Sequence, residues 1–247
     1  MDRQFKNTLR DRLGNYLESK KSATLMEVVL IFGVVFLFIQ MVAPFFQGSQ
    51  LAQQLIVWFA NVIMIALVCF GQWLRRSNFR DLGLVLPVWS GKTYLKIILW
   101  SFLIGIITIL SFVLGSVGMS MLMGATAQPD VSNYDYLKDN PEIFVLSLLG
   151  VYLVSSFGEE LVYRGFLIHR VSLMLKGAKF EKTYAVLISA VIFGLAHYTW
   201  GITGMVQTSF MGLILGTFHV RFKNKLIVLI LAHAYMDTLL LGSIYLS

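Results

Sequence analysis

The chain has 247 residues, of which 57% are hydrophobic and only 13% charged, with a mean hydropathy of +0.74. A water-facing surface on a domain of this length needs more charge, so the composition excludes a soluble globular protein and makes lipid the solvent for most side chains. The formal charge of +7 belongs in such a protein to cytoplasmic loops and anionic headgroups, and it implies no nucleic-acid partner.

Residues 1–24 are mostly charged and polar, carry no signal-peptide pattern, and are expected to stay attached as a cytoplasmic segment. Four runs then reach the roughly 20 apolar residues that a spanning helix needs: 25–46, 51–74, 94–121 and 226–246. Three more, 143–157, 184–198 and 205–220, are shorter or broken and bring the expected total to about seven. Cys69, the single cysteine, lies inside the second run; it can form no intramolecular disulfide and reads as packing.

The basic residues mark the cytoplasmic connections. Arg3, Lys6, Arg10, Arg12, Lys20 and Lys21 precede the first run, and Arg75, Arg76, Arg80, Lys92 and Lys96 surround the second-to-third connection, where residues 75–87 read as an elbow. Arg170, Lys176, Lys179 and Lys182 occupy a later connection, and Arg221, Lys223 and Lys225 another. By contrast, residues 122–141 hold only Lys138 against Asp130, Asp135 and Asp139. The expected fold is therefore an all-α, polytopic helical bundle forming a single membrane domain, with its N-terminus inside and its C-terminus outside. Three N-terminal helices (25–121) precede a four-helix core (141–247).

Ionisable groups within membrane helices cost at least about 2.5 kcal/mol each at the helix centre, and they persist where they are paired or line a functional cavity. They gather here in three places: Glu159, Glu160 and Arg164; Phe193 and His197; His233 and Asp237. Glu160 and Arg164 are four residues apart with the acid first, the favourable order for an ion pair on one helical face. Glu159 is then left without a local partner, suited to general-base work. His233 and Asp237 are also four apart, so the carboxylate can orient the imidazole or face a shared centre. The bland readings are a structural ion network for the acids and an interfacial aromatic belt for His197 beside Tyr198 and Trp200. Glu27 near a boundary is expected to reach water, Asn61 to bond a neighbouring helix, and His169 and His219 to be interfacial. The Gly212 to Gly216 spacing reads as helix packing.

The clusters can meet if the fourth helix continues from residue 143 through Glu159 to about residue 176 and turns back at 177–182. Glu159 and His197 are then 18 and 15 residues from that turn, or roughly 27 and 22 Å at 1.5 Å per residue. His233 is eight residues past Lys225, or roughly 12 Å into its helix, which places the expected common level in the cytoplasmic half of the bilayer.

Glu159-Glu160-x-x-x-Arg164, Phe193-x-x-x-His197 and His233-x-x-x-Asp237, in this order, resemble the EExxxR, FxxxH and HxxxN/D motifs of the CPBP family of intramembrane endopeptidases, the CAAX proteases and bacteriocin-processing enzymes. The resemblance covers residues 141–247 and leaves the first three helices unexplained. It implies catalytic roles for Glu159 and His197 in activating water, with His233 and Asp237 completing the site near the scissile carbonyl. Glu160, Arg164 and Phe193 would support that geometry. An ionised Asp237 cannot donate to an oxyanion as an asparagine amide can, which makes His233 the alternative donor and Asp237 its orienter. The resemblance also admits a zinc ion on Glu159, His197 and His233, although the leading reading, water activated by glutamate, needs no cofactor. The implied partners are a peptide or protein substrate at the membrane and the lipid bilayer, in a bacterial plasma membrane. The competing functions are a non-enzymatic immunity or scaffold protein and an ion or proton transporter.

Overall fold

The computed structural model describes residues 8–86, 90–124, 128–222 and 225–247. Arg3, Lys6 and Lys223, counted above among the basic loop residues, and the end of the elbow at Pro87 lie outside the described residues. The described part is helical, in the polytopic arrangement expected. Helix α1 (Leu9–Ser19) starts at a capping box in which Thr8 and Asp11 satisfy each other's backbone N–H groups. The helices that follow are α2 (Lys21–Val42), α3 (Gln50–Arg75), α4 (Gly91–Met123), α5 (Pro141–Met174), α6 (Glu181–Ala196), α7 (Gly201–Arg221) and α8 (Leu226–Tyr245). Ser49 caps α3, and Asn140 caps α5 with Pro141 in the first turn, where its missing N–H costs nothing.

Among the described residues, six of the about seven expected segments are long and apolar enough to cross a membrane. The exception is α6, whose 16 residues extend roughly 24 Å, short of a hydrocarbon core of about 30 Å. Its end at His197 is consequently held within the bundle. The outward faces of α2, α4 and α5 display Leu25, Phe36, Leu37, Leu99, Phe102, Leu110, Leu146 and Leu153, all exposed, as a lipid-facing surface must.

Hydrophobic burial drives helices together only weakly in lipid, so close approach through small residues matters more. A Cβ on Gly212 would lie 3.1 Å from Ala190 Cα, and one on Gly216 would lie 3.0 Å from Val186 Cγ1, so the expected packing role holds along the α6–α7 contact. Gly115 brings α4 equally close to Gln207 of α7.

The two ends of the bundle differ. At one end α1 lies across α3, with Arg10 Nε donating to the Trp73 carbonyl and Arg76 paired with Asp11. Leu226 N–H there donates to the Gly83 carbonyl of the elbow, and Arg170 Nη2 to the Leu17 carbonyl. Glu27 does not reach water as expected: it is buried between Arg75 and Arg170, which neutralise it. Arg170 is likewise a buried residue of α5 rather than a loop cation. At the opposite end Asp130 N–H donates to the Trp200 carbonyl, Gln50 to the Ser132 carbonyl, and Phe144 stacks on Tyr245 at 4.5 Å.

Candidate active site

Helix α5 runs unbroken through the motif at Glu159, as expected, but not as a regular α-helix. Residues Tyr152–Phe157 and Glu160–Leu167 take π-helical hydrogen bonding, which widens the turn and is frequent at functional positions. Every residue from Glu160 to Leu167 is buried. Gly158 and Gly165 allow this stretch to pack tightly: a Cβ on Gly165 would lie 2.9 Å from the Leu82 carbonyl oxygen, and one on Gly158 would lie 2.6 Å from Ile65 Cδ1.

Glu160 and Arg164 form the expected pair at 2.9 Å, both almost fully buried. Glu160 also accepts from His233 Nδ1 at 2.9 Å. The carboxylate that orients His233 is therefore Glu160 of α5, not Asp237 one turn further along α8. Because Nδ1 carries a proton for that bond, Nε2 is the atom His233 presents to the site. It stands 3.9 Å from Glu159 Oε2 and 3.7 Å from Asp237 Oδ1, separations that a bridging water spans better than a direct hydrogen bond. Asp237 Oδ2 accepts from Ser156 Oγ at 2.6 Å.

His197 caps α6, and its Nδ1 donates to the Phe193 carbonyl at 2.8 Å. A carbonyl can only accept, so Nδ1 is protonated and Nε2 of the neutral ring keeps its lone pair. The Phe193 ring lies at the centre of the constellation. Arg164 stacks on it at 4.2 Å, and it meets the rings of His197 and His233 edge-on at 4.8 and 6.3 Å. The motif phenylalanine thus spaces the guanidinium and both imidazoles.

Glu159, His197, His233 and Asp237 line one cavity of about 300 Å³. The structure brings all four expected catalytic residues together, from α5, the end of α6, and α8. Glu159 Oε2 is buried and has no hydrogen-bond partner among the described residues, which leaves its lone pairs free for a reacting group. Among the described residues no group of three or more His, Cys, Asp or Glu side chains is disposed to hold a metal ion, and the expected zinc set of Glu159, His197 and His233 is not such a group. What these residues can do by themselves is acid–base chemistry on a water.

The cavity also contains residues that the motifs did not indicate: Gln54, Trp58 and Asn61 of α3, Tyr134, and Trp200. Asn61 donates to Val57 of its own helix rather than to a neighbouring one, and its side chain borders the cavity. Tyr134 sits on the 3₁₀ turn Ser132–Leu137, which Leu137 anchors by complete burial. Its ring meets Trp200 edge-on at 6.2 Å, and burial pushes its hydroxyl pKa well up, so it stays a proton donor. The expected level of the site needs correction. Tyr134 and Trp200 belong to the end opposite α1, so the cavity extends toward that end and not into the half that carries the basic residues.

Residues 141–239 match the Rce1-like family, described as type II CAAX prenyl endopeptidase Rce1-like. This core belongs to the CAAX-protease family. The match takes in all three motifs and ends just after Asp237, while α1 to α4 lie outside it. No curated protein and no solved structure matches the chain. The Rce1-like core is thus framed by helices that the family comparison does not cover, and α3 supplies part of the cavity wall.

Proposed function

We propose that the chain is an intramembrane endopeptidase that hydrolyses a peptide bond of a membrane-associated or lipid-anchored peptide. The observation that carries this reading is the convergence of Glu159, His197, His233 and Asp237 on one cavity within the Rce1-like segment. In the proposed reaction Glu159, assisted by His197 Nε2, takes a proton from water as its oxygen attacks the carbonyl carbon. That proton passes to the amine nitrogen as the C–N bond breaks. His233 Nε2 and Asp237 lie beside the carbonyl, while Glu160 and Arg164 fix His233 and Phe193 without touching substrate. The family description names a CAAX prenyl endopeptidase; a lipidated substrate for this chain is part of the proposal. So is its residence in a bacterial plasma membrane, with the N-terminus cytoplasmic and the C-terminus outside.

The test is cleavage of a peptide library by the protein purified in detergent, with and without chelator. Cleavage that survives chelation and disappears in a folded Glu159→Ala variant is the expected result. Turnover unchanged in Glu159→Ala would overturn the mechanism, and absence of cleavage with any peptide would favour the immunity or scaffold alternative.

A further inference from the structure

The two ends of the molecule differ in charge and in access to the site. Among the described residues, every Lys and Arg other than Lys138 and Arg164 belongs to the end built from α1, the elbow, the α5–α6 turn and the α7–α8 turn. The opposite end carries Asp130, Asp135, Asp139 and Glu142, with Lys138 paired to Asp135 at 3.0 Å. An asymmetry of this size orients the basic end to the cytoplasm.

The basic end is closed beneath the site. The elbow turn Phe79–Leu82 drives Leu82, wholly buried, against Gly165, and Leu226 N–H fastens the elbow through the Gly83 carbonyl. Phe166, Leu167 and Leu215, also wholly buried, belong to the same apolar cluster as Leu82. At the acidic end Leu137, Val151, Leu241 and Ile244 form a smaller buried cluster, and the cavity continues beside it. The site cavity shares Gln54, Tyr134 and Trp200 with a second recess of about 410 Å³, which is lined by Gln47, Gln53 and Asn133 at that end. His197 itself is only three residues from Trp200, whose carbonyl accepts from Asp130.

We propose that water and substrate enter from the acidic, extracytoplasmic face, so that the chain cut is one already exported or met from outside. The Leu82 plug closes the direct path from the cytosolic end to Glu159. The proposal rests on the peptidase reading for the word "cut", but the access route can be measured without activity. In a Cys69→Ala background, single cysteines are placed at Ser19 on the basic end, Ser132 on the acidic end, Gln54 in the shared wall and, deeper, Asn61. Intact cells and inverted vesicles are then treated with a membrane-impermeant cationic thiosulfonate.

Modification of the cysteines at 132, 54 and 61 in intact cells, with that at 19 protected until lysis, is the expected pattern. Reaction at 54 and 61 only in inverted vesicles would overturn the proposal, whichever of the two variants folds better. In parallel, an impermeant peptide that the purified protein cleaves should be cut by right-side-out vesicles and spared by inverted ones; the reverse would also overturn the proposal. If the purified protein cleaves no peptide while the outside labelling holds, the peptidase reading falls and the access route stands.

Discussion

Ser156 Oγ holds one oxygen of Asp237 at 2.6 Å, which turns the other toward His233 Nε2. A hydrogen bond to a charged group contributes about 1.5–3 kcal/mol. Ser156→Ala is therefore expected to lower kcat by roughly 10- to 100-fold with little change in KM, read from steady-state cleavage; an unchanged kcat would mean that Asp237 needs no such restraint. The adjacent acids separate by stability. Glu160→Gln leaves the guanidinium of Arg164 buried without its counter-charge, a change of about 3–5 kcal/mol, whereas Glu159→Gln removes no ion pair of that kind. Thermal unfolding in one detergent should show a large drop for the first and a small one for the second, with cleavage lost in both. The motif residues were legible because charge in an apolar run is conspicuous. Their partners were not: Glu160 meets His233 across 73 residues of chain, and Ser156 reads as one more small residue in a hydrophobic stretch. Tyr134 lies in a loop whose return over the cavity has no local signal.

At the scale of elements, α6 and α7 depend on backbone proximity, and that dependence reaches the site through Phe193. A Cβ on Gly212 would press Ala190 Cα at 3.1 Å and Phe193 Cδ1 at 3.2 Å, and Phe193 in turn separates Arg164 from both histidines. Gly212→Ala is expected to cost about 1–3 kcal/mol through overpacking and to reduce cleavage as the ring moves. Gly33 of α2, which has nothing within 4 Å of such a Cβ, supplies the control. Gly33→Ala should be neutral or stabilising by roughly 0.5–1 kcal/mol with activity unchanged, and equal losses in both variants would show that helix propensity rather than packing is being measured. The spanning runs were readable from length and hydropathy, and the α3 and α5 starts from Ser49, Asn140 and Pro141. The π-helical turns were not, because they change hydrogen-bond register without changing residue type. Nor was the shortness of α6, since the apolar run at 184–198 continues past the point where the helix ends at Ala196.

For the whole molecule, a peptidase in lipid has to admit water and an apolar substrate segment to the same atoms by different routes. Beside the recess at the acidic end, a lateral opening of about 460 Å³ lies between α2, α3 and α6, lined by Phe32, Val35, Ile39, Met64, Ile192 and Leu195. It shares Glu159, His197 and Asn61 with the site cavity, so if the substrate is membrane-embedded, as proposed above, its apolar segment would reach the carboxylate from the side while its polar part meets the acidic-end recess. Helix α2 is outside the Rce1-like match, which gives the N-terminal helices a role as one wall of this opening. Val35→Trp should obstruct it without touching the polar site. The expected outcome is slower cleavage of a substrate that carries a membrane-embedded segment, seen as a raised KM in proteoliposomes, while a short water-soluble peptide is cut at the original rate. If both substrates slow equally, the tryptophan has disturbed the α2–α3 packing, and the side opening plays no part in substrate entry. If neither slows, the embedded segment enters elsewhere, and the acidic-end recess has to carry the entire substrate.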